Sequence, residues 1–416
     1  MDLSYGPEYE AFREDVRAFL RTHADDAPRG AGLRDEKTLA WQRLLIEHGY
    51  AARTIPKAYG GYGAEPDILI SRIIAEEFAS ARVSPGLGGQ GISMLVPSLL
   101  ELGTEAQKAQ FVAPTIRGEM VWCQGYSEPG AGSDLASLRT RATLETGADG
   151  KPEWVINGQK IWTSTAQLAD WIFCLVRTEP EAPKHQGISF LLFRMDTPGI
   201  EVRPLVDMTG HANFNEVFFT DVRVPAEQIV GARGDGWKVA NTILGHERDS
   251  LGNPNATLQR FNALVEIMKE ETVGGGRLID HPTWRDRLMQ LQGRVMAMRF
   301  NDMRVLSSKI NGDGDTALAR MIVKLQGTEL RHELEGFAID VMGELGLAYG
   351  ENPLLRDGGS WQSQYMYFLG LIIGGGTSQI QKNIISERGL GLPREPKVAA
   401  PQPAAPQPAA EKGAGA

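Results

Sequence analysis

Apolar side chains recur at helical spacing over two long parts of the chain, the first ending near residue 117 and the second running from Trp237 to about Leu390. Near Glu119 the pattern changes to short runs of valine, isoleucine, phenylalanine, tryptophan and threonine, separated by turns rich in glycine, proline, aspartate and asparagine. Such runs are typical of an antiparallel β domain. The long C-terminal helical segments, joined by short loops, indicate a bundle.

The order of these patterns predicts an α+β fold with three domains and a tail. We expect an N-terminal helical domain (1–118), a middle antiparallel β domain (119–231) and a C-terminal four-helix bundle (232–396). Residues 397–416 are rich in proline, alanine and glycine and cannot bury enough apolar surface to offset chain entropy, so we predict a disordered tail. Within the bundle, Pro254 predicts a kink, because proline removes a helical hydrogen bond.

Composition excludes several classes of protein. The net charge of −9 over 416 residues argues against a general nucleic-acid binder, which needs a basic face for phosphates. Cys123 and Cys174 form no CxxC pair and have no metal-ligand spacing, so we expect buried free thiols and no metal. No signal peptide is visible, and no apolar run approaches the roughly 20 residues that span a bilayer. A cytoplasmic protein without membrane insertion is expected.

Two glycine-rich stretches suggest ligand loops. Residues 86–91, GLGGQG, match the dinucleotide fingerprint GxGxxG, but they lie between helical segments where the fingerprint requires a preceding strand. We therefore reject a Rossmann site and favour a helix connection. Residues 124–134, QGYSEPGAGSD, follow a β run, and their backbone N–H groups suit a planar or phosphorylated ligand. A surface turn capped by serine and aspartate is the alternative.

The second loop resembles the signature of the acyl-CoA dehydrogenase family. Three further segments resemble that family in matching order: NGQKIWTS (157–164), EVFFTDVRVP (216–225) and GTSQIQ (376–381). The resemblance covers roughly residues 5–392. It implies dehydrogenation of an acyl-CoA thioester with FAD as cofactor, transfer of electrons to an electron-transfer flavoprotein, and a homotetramer or homodimer.

The resemblance also implies which residues bind FAD. Trp162 would pack on the flavin ring with Ser164 near N5, and Ser133 would serve the pyrophosphate or the pantetheine of the substrate. Core packing is the alternative for Trp162, and a solvated loop position is the alternative for Arg277. The family usually has glutamine where this chain has Asp340, which leaves that contact open. The FAD-binding residues implied are Gln124, Tyr126, Ser127, Ser133, Trp162, Ser164, Thr377 and Gln379, with Arg277 and Gly343 contributed to the site of a neighbouring subunit.

The family's catalytic base poses a question in this chain. Many members carry a glutamate directly before the Gly-Thr of the last motif, where this chain has Gly375. Other members carry the glutamate before an arginine on the first helix of the bundle, and Glu247-Arg248 fits that arrangement. We therefore expect Glu247 to be the base, with substrate contacts from Ser133, Arg248, Gly375 and Gly376. A surface ion pair of Glu247 is the bland alternative, and Asp249 is a less favoured base.

Three functions remain open on this scaffold. The leading one is an acyl-CoA dehydrogenase. A flavin oxidase or monooxygenase would use the same cofactor with oxygen. A catalytically silent partner subunit would explain Gly375 as a lost base, although it leaves Ser127, Trp162 and Ser164 without a purpose. The acyl group is also open, because residues 94–99 suit either an acyl cavity or the core.

Overall fold

The N-terminal helices pack around a small apolar core. The computed structural model describes residues 6–29, 34–311 and 316–396; the predicted tail lies outside them. Phe19, Trp41 and Phe78 are buried together at the centre of this core. Arg13 and Arg17 both bind the carboxylate of Glu77 and join the first helix to the third. The helices are α1 (Pro7–His23), α2 (Glu36–Glu47), α3 (Ile68–Ala81), α4 (Val96–Leu102) and α5 (Glu105–Ile116).

The middle of the chain forms one seven-stranded sheet. Its strands are β1 (Trp122–Gly125), β2 (Arg141–Thr146), β3 (Pro152–Lys160), β4 (Trp171–Arg177), β5 (Ile188–Arg194), β6 (Ile200–Leu205) and β7 (Phe214–Pro225). The strand order is β1-β4-β2-β3-β7-β6, and β5 also pairs with β4. Most pairs are antiparallel, but β1 runs parallel to β4. The predicted α+β class is confirmed, with a mixed sheet in place of a purely antiparallel one.

Both faces of β4 and β5 are covered, which explains why these strands are almost continuously apolar. One face, with Phe173 and Phe190, packs against residues from the α4–α5 region and from the first helix of the bundle. The other face, with Ile172 and Cys174, packs against β3 and β7. Cys123 and Cys174 are buried and unbonded, as predicted. The first face is the one that brings all three domains together.

The C-terminal part is helical apart from a small hairpin. Its elements are α6 (Gly236–Leu251), α7 (Pro254–Glu270), β8 (Thr272–Val273), β9 (Gly276–Arg277), α8 (Pro282–Asn311), α9 (Ala317–Met342), α10 (Ser360–Ile373) and α11 (Ser378–Ile384). Arg72 on α3 binds Asp302 on α8, which ties the N-terminal helices to the bundle. In the described part of the chain, no helix combines the length and apolarity that crossing a bilayer requires.

Pro254 separates two helices. Where we expected a kink, α6 ends at Leu251 and α7 begins at Pro254. Proline suits the first helical position, where its missing N–H has no intrahelical acceptor. The side chain of Asn253 caps α7 by accepting from the N–H groups of Asn255 and Ala256. The short connection therefore leaves Glu247 in the last part of α6.

The end of α6 touches α9 backbone to backbone. A Cβ added at Gly327 would lie 2.7 Å from the Cα of Gly252, and one added at Gly252 would lie 2.5 Å from the carbonyl oxygen of Val323. Neither neighbour is a flexible side-chain end, so a larger residue would push the two helices apart. The missing side chains therefore fix the distance between the helix of Glu247 and α9.

We expect Gly327→Ala to destabilise the fold by about 1–3 kcal/mol, the usual cost of overpacking. Gly293 is a matched control, because it also lies inside a helix but an added Cβ there meets nothing within 4 Å. Gly293→Ala should stabilise the protein by up to about 1 kcal/mol through helix propensity. Chemical denaturation of both variants measures the difference. Equal effects of the two substitutions would contradict the proposed contact.

Candidate functional site

The glycine-rich loop follows β1 and folds into a tight turn. The N–H and C=O groups of Glu128 and Ala131 bond each other reciprocally at 3.0 Å. A Cβ added at Gly130 or Gly132 would meet nothing within 4 Å. The space above these glycines is therefore open, which is what a loop that admits a ligand close to its backbone requires.

A buried ion pair supports this loop from below. Lys160, at the end of β3, is fully buried and donates to Glu128 at 2.8 Å and to the carbonyl oxygen of Tyr126 at 3.1 Å. The N–H groups of Arg139 and Thr140 donate to the other sides of the Glu128 carboxylate. Burial by itself raises the pKa of Glu128, but Lys160 and these hydrogen bonds prevail and lower it. Glu128 is thus held as a carboxylate beneath the loop.

Trp162 projects an exposed indole beside the same loop. Its side chain is 59% exposed and its backbone has a left-handed φ of 60°. Phe214 meets the indole edge-to-face, with ring centroids 6.0 Å apart, and stacks in turn on Tyr367 of α10. Ile161, next to the indole, donates to the carbonyl oxygen of Ser127 and connects both segments. A large apolar side chain held this way in a strained backbone indicates a ligand surface.

Together these features fit the flavin that the sequence resemblance implies. A planar aromatic ring can lie on the indole, and its phosphates can approach the open glycine loop. Three buried polar atoms nearby have no hydrogen-bond partner in the described structure, the amide nitrogen of Gln124 and the hydroxyls of Tyr126 and Thr163. Polar atoms left this way in a protein interior usually have a ligand or water as partner. The residues present therefore fit FAD.

The second half of the site centres on Lys324 of α9. This lysine is only 2% exposed, and its ammonium donates to the carbonyl oxygens of Ile372 at 3.1 Å and Gly376 at 2.6 Å. Burial lowers its pKa to about 8, and the carboxylates of Glu247 and Glu329 partly oppose this. The charge of Glu247 also helps to raise the pKa of Tyr126, mainly raised by burial. Glu247 therefore lies within electrostatic reach of both α9 and the end of β1.

The triple glycine joins α10 to α11 opposite that carboxylate. The φ of Gly375 is +63°, a left-handed backbone in which side chains are strained, so conformation alone favours glycine here. Gln381 donates to the carbonyl oxygen of Gly375 at 2.9 Å. Within the described residues, no acceptor bonds the N–H of Gly375. The loop therefore turns its carbonyls towards Lys324 and Gln381 and keeps an N–H available.

The remaining predicted residues have the following positions. The hydroxyl of Thr377 caps α11 by accepting from Ile380, and Gln379 is exposed on that helix. Arg277 lies on the exposed hairpin and pairs with Asp280. Gly343 ends α9, and no described contact joins it or Arg277 to Trp162. The side chains of Arg248 and Asp249 lie outside the described residues, so their predicted roles stay predictions.

Sequence reasoning missed the two buried lysines. Lys324 stands in the apolar run MIVKLQ, where a charge inside a helix that is otherwise buried is a recognisable signal. Lys160 ends the strand EWVINGQK at a position where strand alternation points the side chain into the core. Neither partner was predictable from spacing, because Glu128 and the carbonyl of Gly376 lie far away in sequence.

Comparison with known proteins identifies relatives over nearly the whole chain. Family models of the N-terminal, middle and C-terminal domains of acyl-CoA dehydrogenases match residues 6–119, 123–222 and 234–390. The acyl-CoA dehydrogenase IpdE1 of Mycolicibacterium smegmatis is 37% identical over 408 residues, covering 94% of this chain and 99% of the relative.

Two solved structures share the fold at similar coverage. One is the ChsE4-ChsE5 complex from Mycobacterium tuberculosis, 31% identical, with a TM-score of 0.78 and coverage of 95% of this chain and 100% of that one. The other is the Tcur3481-Tcur3483 steroid acyl-CoA dehydrogenase, 29% identical, with a TM-score of 0.77 and the same coverage.

Proposed function

The chain belongs to the acyl-CoA dehydrogenase family of oxidoreductases, and we propose that Glu247 is the base that removes the α-proton of an acyl-CoA thioester. The observation that carries this proposal is the position of Glu247, whose charge acts on Tyr126 at the end of β1 and on Lys324 behind the glycine loop. The carboxylate thus stands between the flavin-binding half of the site and the loop that has lost the alternative glutamate.

Each part of the site has a role in this chemistry. Bound FAD would take the β-hydrogen of the substrate as hydride. The free N–H of Gly375 would donate to the thioester carbonyl and stabilise the negative charge that develops when the α-proton leaves. Trp162 would cover the flavin ring and exclude water from it, and Ser164 would lie near N5. Arg277 and Gly343 are proposed to complete the FAD site of a neighbouring subunit in a homo-oligomer.

A first experiment tests this function with the purified protein. We expect a bound flavin spectrum, and anaerobic bleaching of that spectrum by at least one thioester from a panel of straight, branched and ring-bearing acyl-CoAs. Ring-bearing thioesters belong in the panel because one structural relative is a steroid acyl-CoA dehydrogenase. A protein that binds no flavin, or whose flavin no thioester reduces, would contradict the proposal.

The electron acceptor is tested with the reduced protein. We propose an electron-transfer flavoprotein as acceptor, so reoxidation should be fast with that protein and slow in air. Rapid reoxidation by oxygen would instead favour the oxidase or monooxygenase.

Lys324 should set the pH range in which Glu247 works. Its ammonium favours the carboxylate form of Glu247; Glu329, bonded by Ser378, is the other carboxylate that acts on Lys324. Removing the charge with Lys324→Met disfavours the carboxylate form of Glu247. The acid limb of the flavin-reduction rate should then move to higher pH, lowering the rate about tenfold per unit of displacement. Stopped-flow reduction across pH measures it.

Gln381→Leu is the control for that prediction. It removes the hydrogen bond to Gly375, and so loosens the same loop, but it changes no charge. Its acid limb should match that of the unaltered protein. A shift of equal size in both variants would mean that Lys324 acts only by holding the loop.

A further inference from the structure

Three buried polar atoms without partners meet where the three domains join. They are the amide oxygen of Gln90, the amide nitrogen of Gln124 and the hydroxyl of Tyr126. Gln90 and Gln124 also contact each other at 3.5 Å. Tyr126 is only 5% exposed, and Gln124 lies close enough to act on its pKa, which burial raises. The three side chains therefore form one cluster.

The cluster lies on the Glu247 side of the sheet. Along β1 and its extension, Trp122 and Tyr126 point to the same face, where they pack against the 94–99 segment and Ile243 of α6. Glu247 follows Ile243 one turn later on that helix. Gln90 directly precedes a π-helical turn at Gly91–Leu95, and such turns are frequent at functional sites. The polar cluster is thus next to the proposed base and surrounded by apolar side chains.

Such atoms are costly unless something bonds them. Water can do so in the free protein, but an acyl group that fills the space between β1, α4 and α6 expels that water. Each group left unsatisfied then costs about 1–3 kcal/mol. A purely hydrocarbon acyl chain offers no compensation, so it is rejected by a site built this way.

We propose that Gln90, Gln124 and Tyr126 form a polar subsite that binds an oxygen atom on the acyl portion of the substrate, beyond its β-carbon. The inference rests on the proposed dehydrogenase function and names the substrate class as hydroxy- or oxo-acyl-CoA thioesters.

The available atoms suit such an oxygen. The Gln124 amide and the Tyr126 hydroxyl can donate to either group, and the Gln90 amide oxygen can accept from a hydroxyl. Flavin contacts of residues 124–126 remain compatible with this, because the backbone of β1 can face the cofactor while these side chains face the acyl group.

Binding without turnover tests the subsite. The probes are pairs of S-alkyl-CoA thioethers that differ only in a hydroxyl or oxo group, placed at successive carbons beyond the β-carbon. They lack the thioester carbonyl and cannot be dehydrogenated. Calorimetric titration of the FAD-loaded protein should show at least about tenfold tighter binding of the oxygenated member at one position, equivalent to about 1.4 kcal/mol. Separate hydroxyl and oxo series distinguish the two classes.

Substitutions then locate the effect. Tyr126→Phe and Gln124→Leu should each reduce the preference for the oxygenated probe to about threefold or less. Tyr50→Phe, which removes a phenol hydroxyl in the N-terminal core, is the matched control and should keep the full preference. Equal affinities within every pair, no binding by either member, or a preference that survives both substitutions would overturn the proposal. Failure of acyl-CoA thioesters to bleach the flavin would instead count against the proposed function.

Discussion

Glu247→Gln should slow anaerobic flavin reduction by an acyl-CoA about 10²–10⁴-fold, the usual contribution of a positioned general base. The amide keeps the size of the side chain but cannot take the α-proton. The charge that acts on Lys324 and Tyr126 disappears with it, while the flavin-binding loop and Trp162 are left intact. Stopped-flow absorbance with a saturating thioester measures the reduction rate, and the flavin content of the variant shows that the cofactor site has survived.

The control for this experiment is Glu101→Gln. Glu101 lies on α4, where it pairs with His246, the neighbour of Glu247, and it is largely exposed. Loss of its charge perturbs the same helix from outside the site, so reduction should stay within about threefold of the unaltered rate, since an exposed ion pair contributes at most about 1 kcal/mol. Fast reduction by the Glu247 variant would exclude it as the base.

Lys160→Met should be the most destabilising of the substitutions considered. It leaves the carboxylate of Glu128 buried without its counter-ion, which typically costs about 3–5 kcal/mol. The carbonyl oxygen of Tyr126 loses a donor as well. Because both acceptors belong to the flavin loop, we expect weaker FAD retention together with a lower free energy of unfolding. Chemical denaturation and flavin release on gel filtration measure the two effects.

Two further variants test the cause. Adding Glu128→Gln to Lys160→Met removes the unpaired charge and should recover part of the lost stability. Lys184→Met breaks the exposed pair with Asp134 in the same loop and should cost no more than about 1 kcal/mol. A loss of similar size in the two lysine variants would contradict the assignment of a buried pair.

The same pair gives the protein a predictable acid sensitivity. The pKa of Glu128 is lowered from its ordinary value of 4.5, so its contribution to stability is complete above that pH and is lost as the pH falls further. The Lys160→Met variant lacks the interaction that lowers this pKa. Its stability should therefore fall less steeply than that of the unaltered protein below about pH 4.5.

Local patterns predicted the element types and their order. Period-2 runs such as WIFCLVRT marked strands, and the periodic C-terminal runs marked helices. The parallel pairing of β1 with β4 was not predictable, because strand direction depends on how distant segments meet. Pro254 was recognised as an interruption, but the complete break depends on the cap supplied by Asn253.

The candidate site was predictable through its motifs and less through its charges. Glu247 was found because Gly375 occupies the position of the familiar base. Lys324, which acts on that glutamate, lies on another helix and became visible only in three dimensions. The left-handed φ of Gly375 adds a conformational reason for the glycine that no sequence pattern states.

The exposed indole of Trp162 makes the protein its own optical probe. The chain has eight tryptophans, and Trp162 is the one whose side chain is largely solvent-exposed. Its emission should therefore lie at longer wavelengths than that of the others, and a flavin stacked on it would quench this component by energy transfer. Fluorescence at the red edge would then report the fraction of subunits loaded with cofactor, without any label.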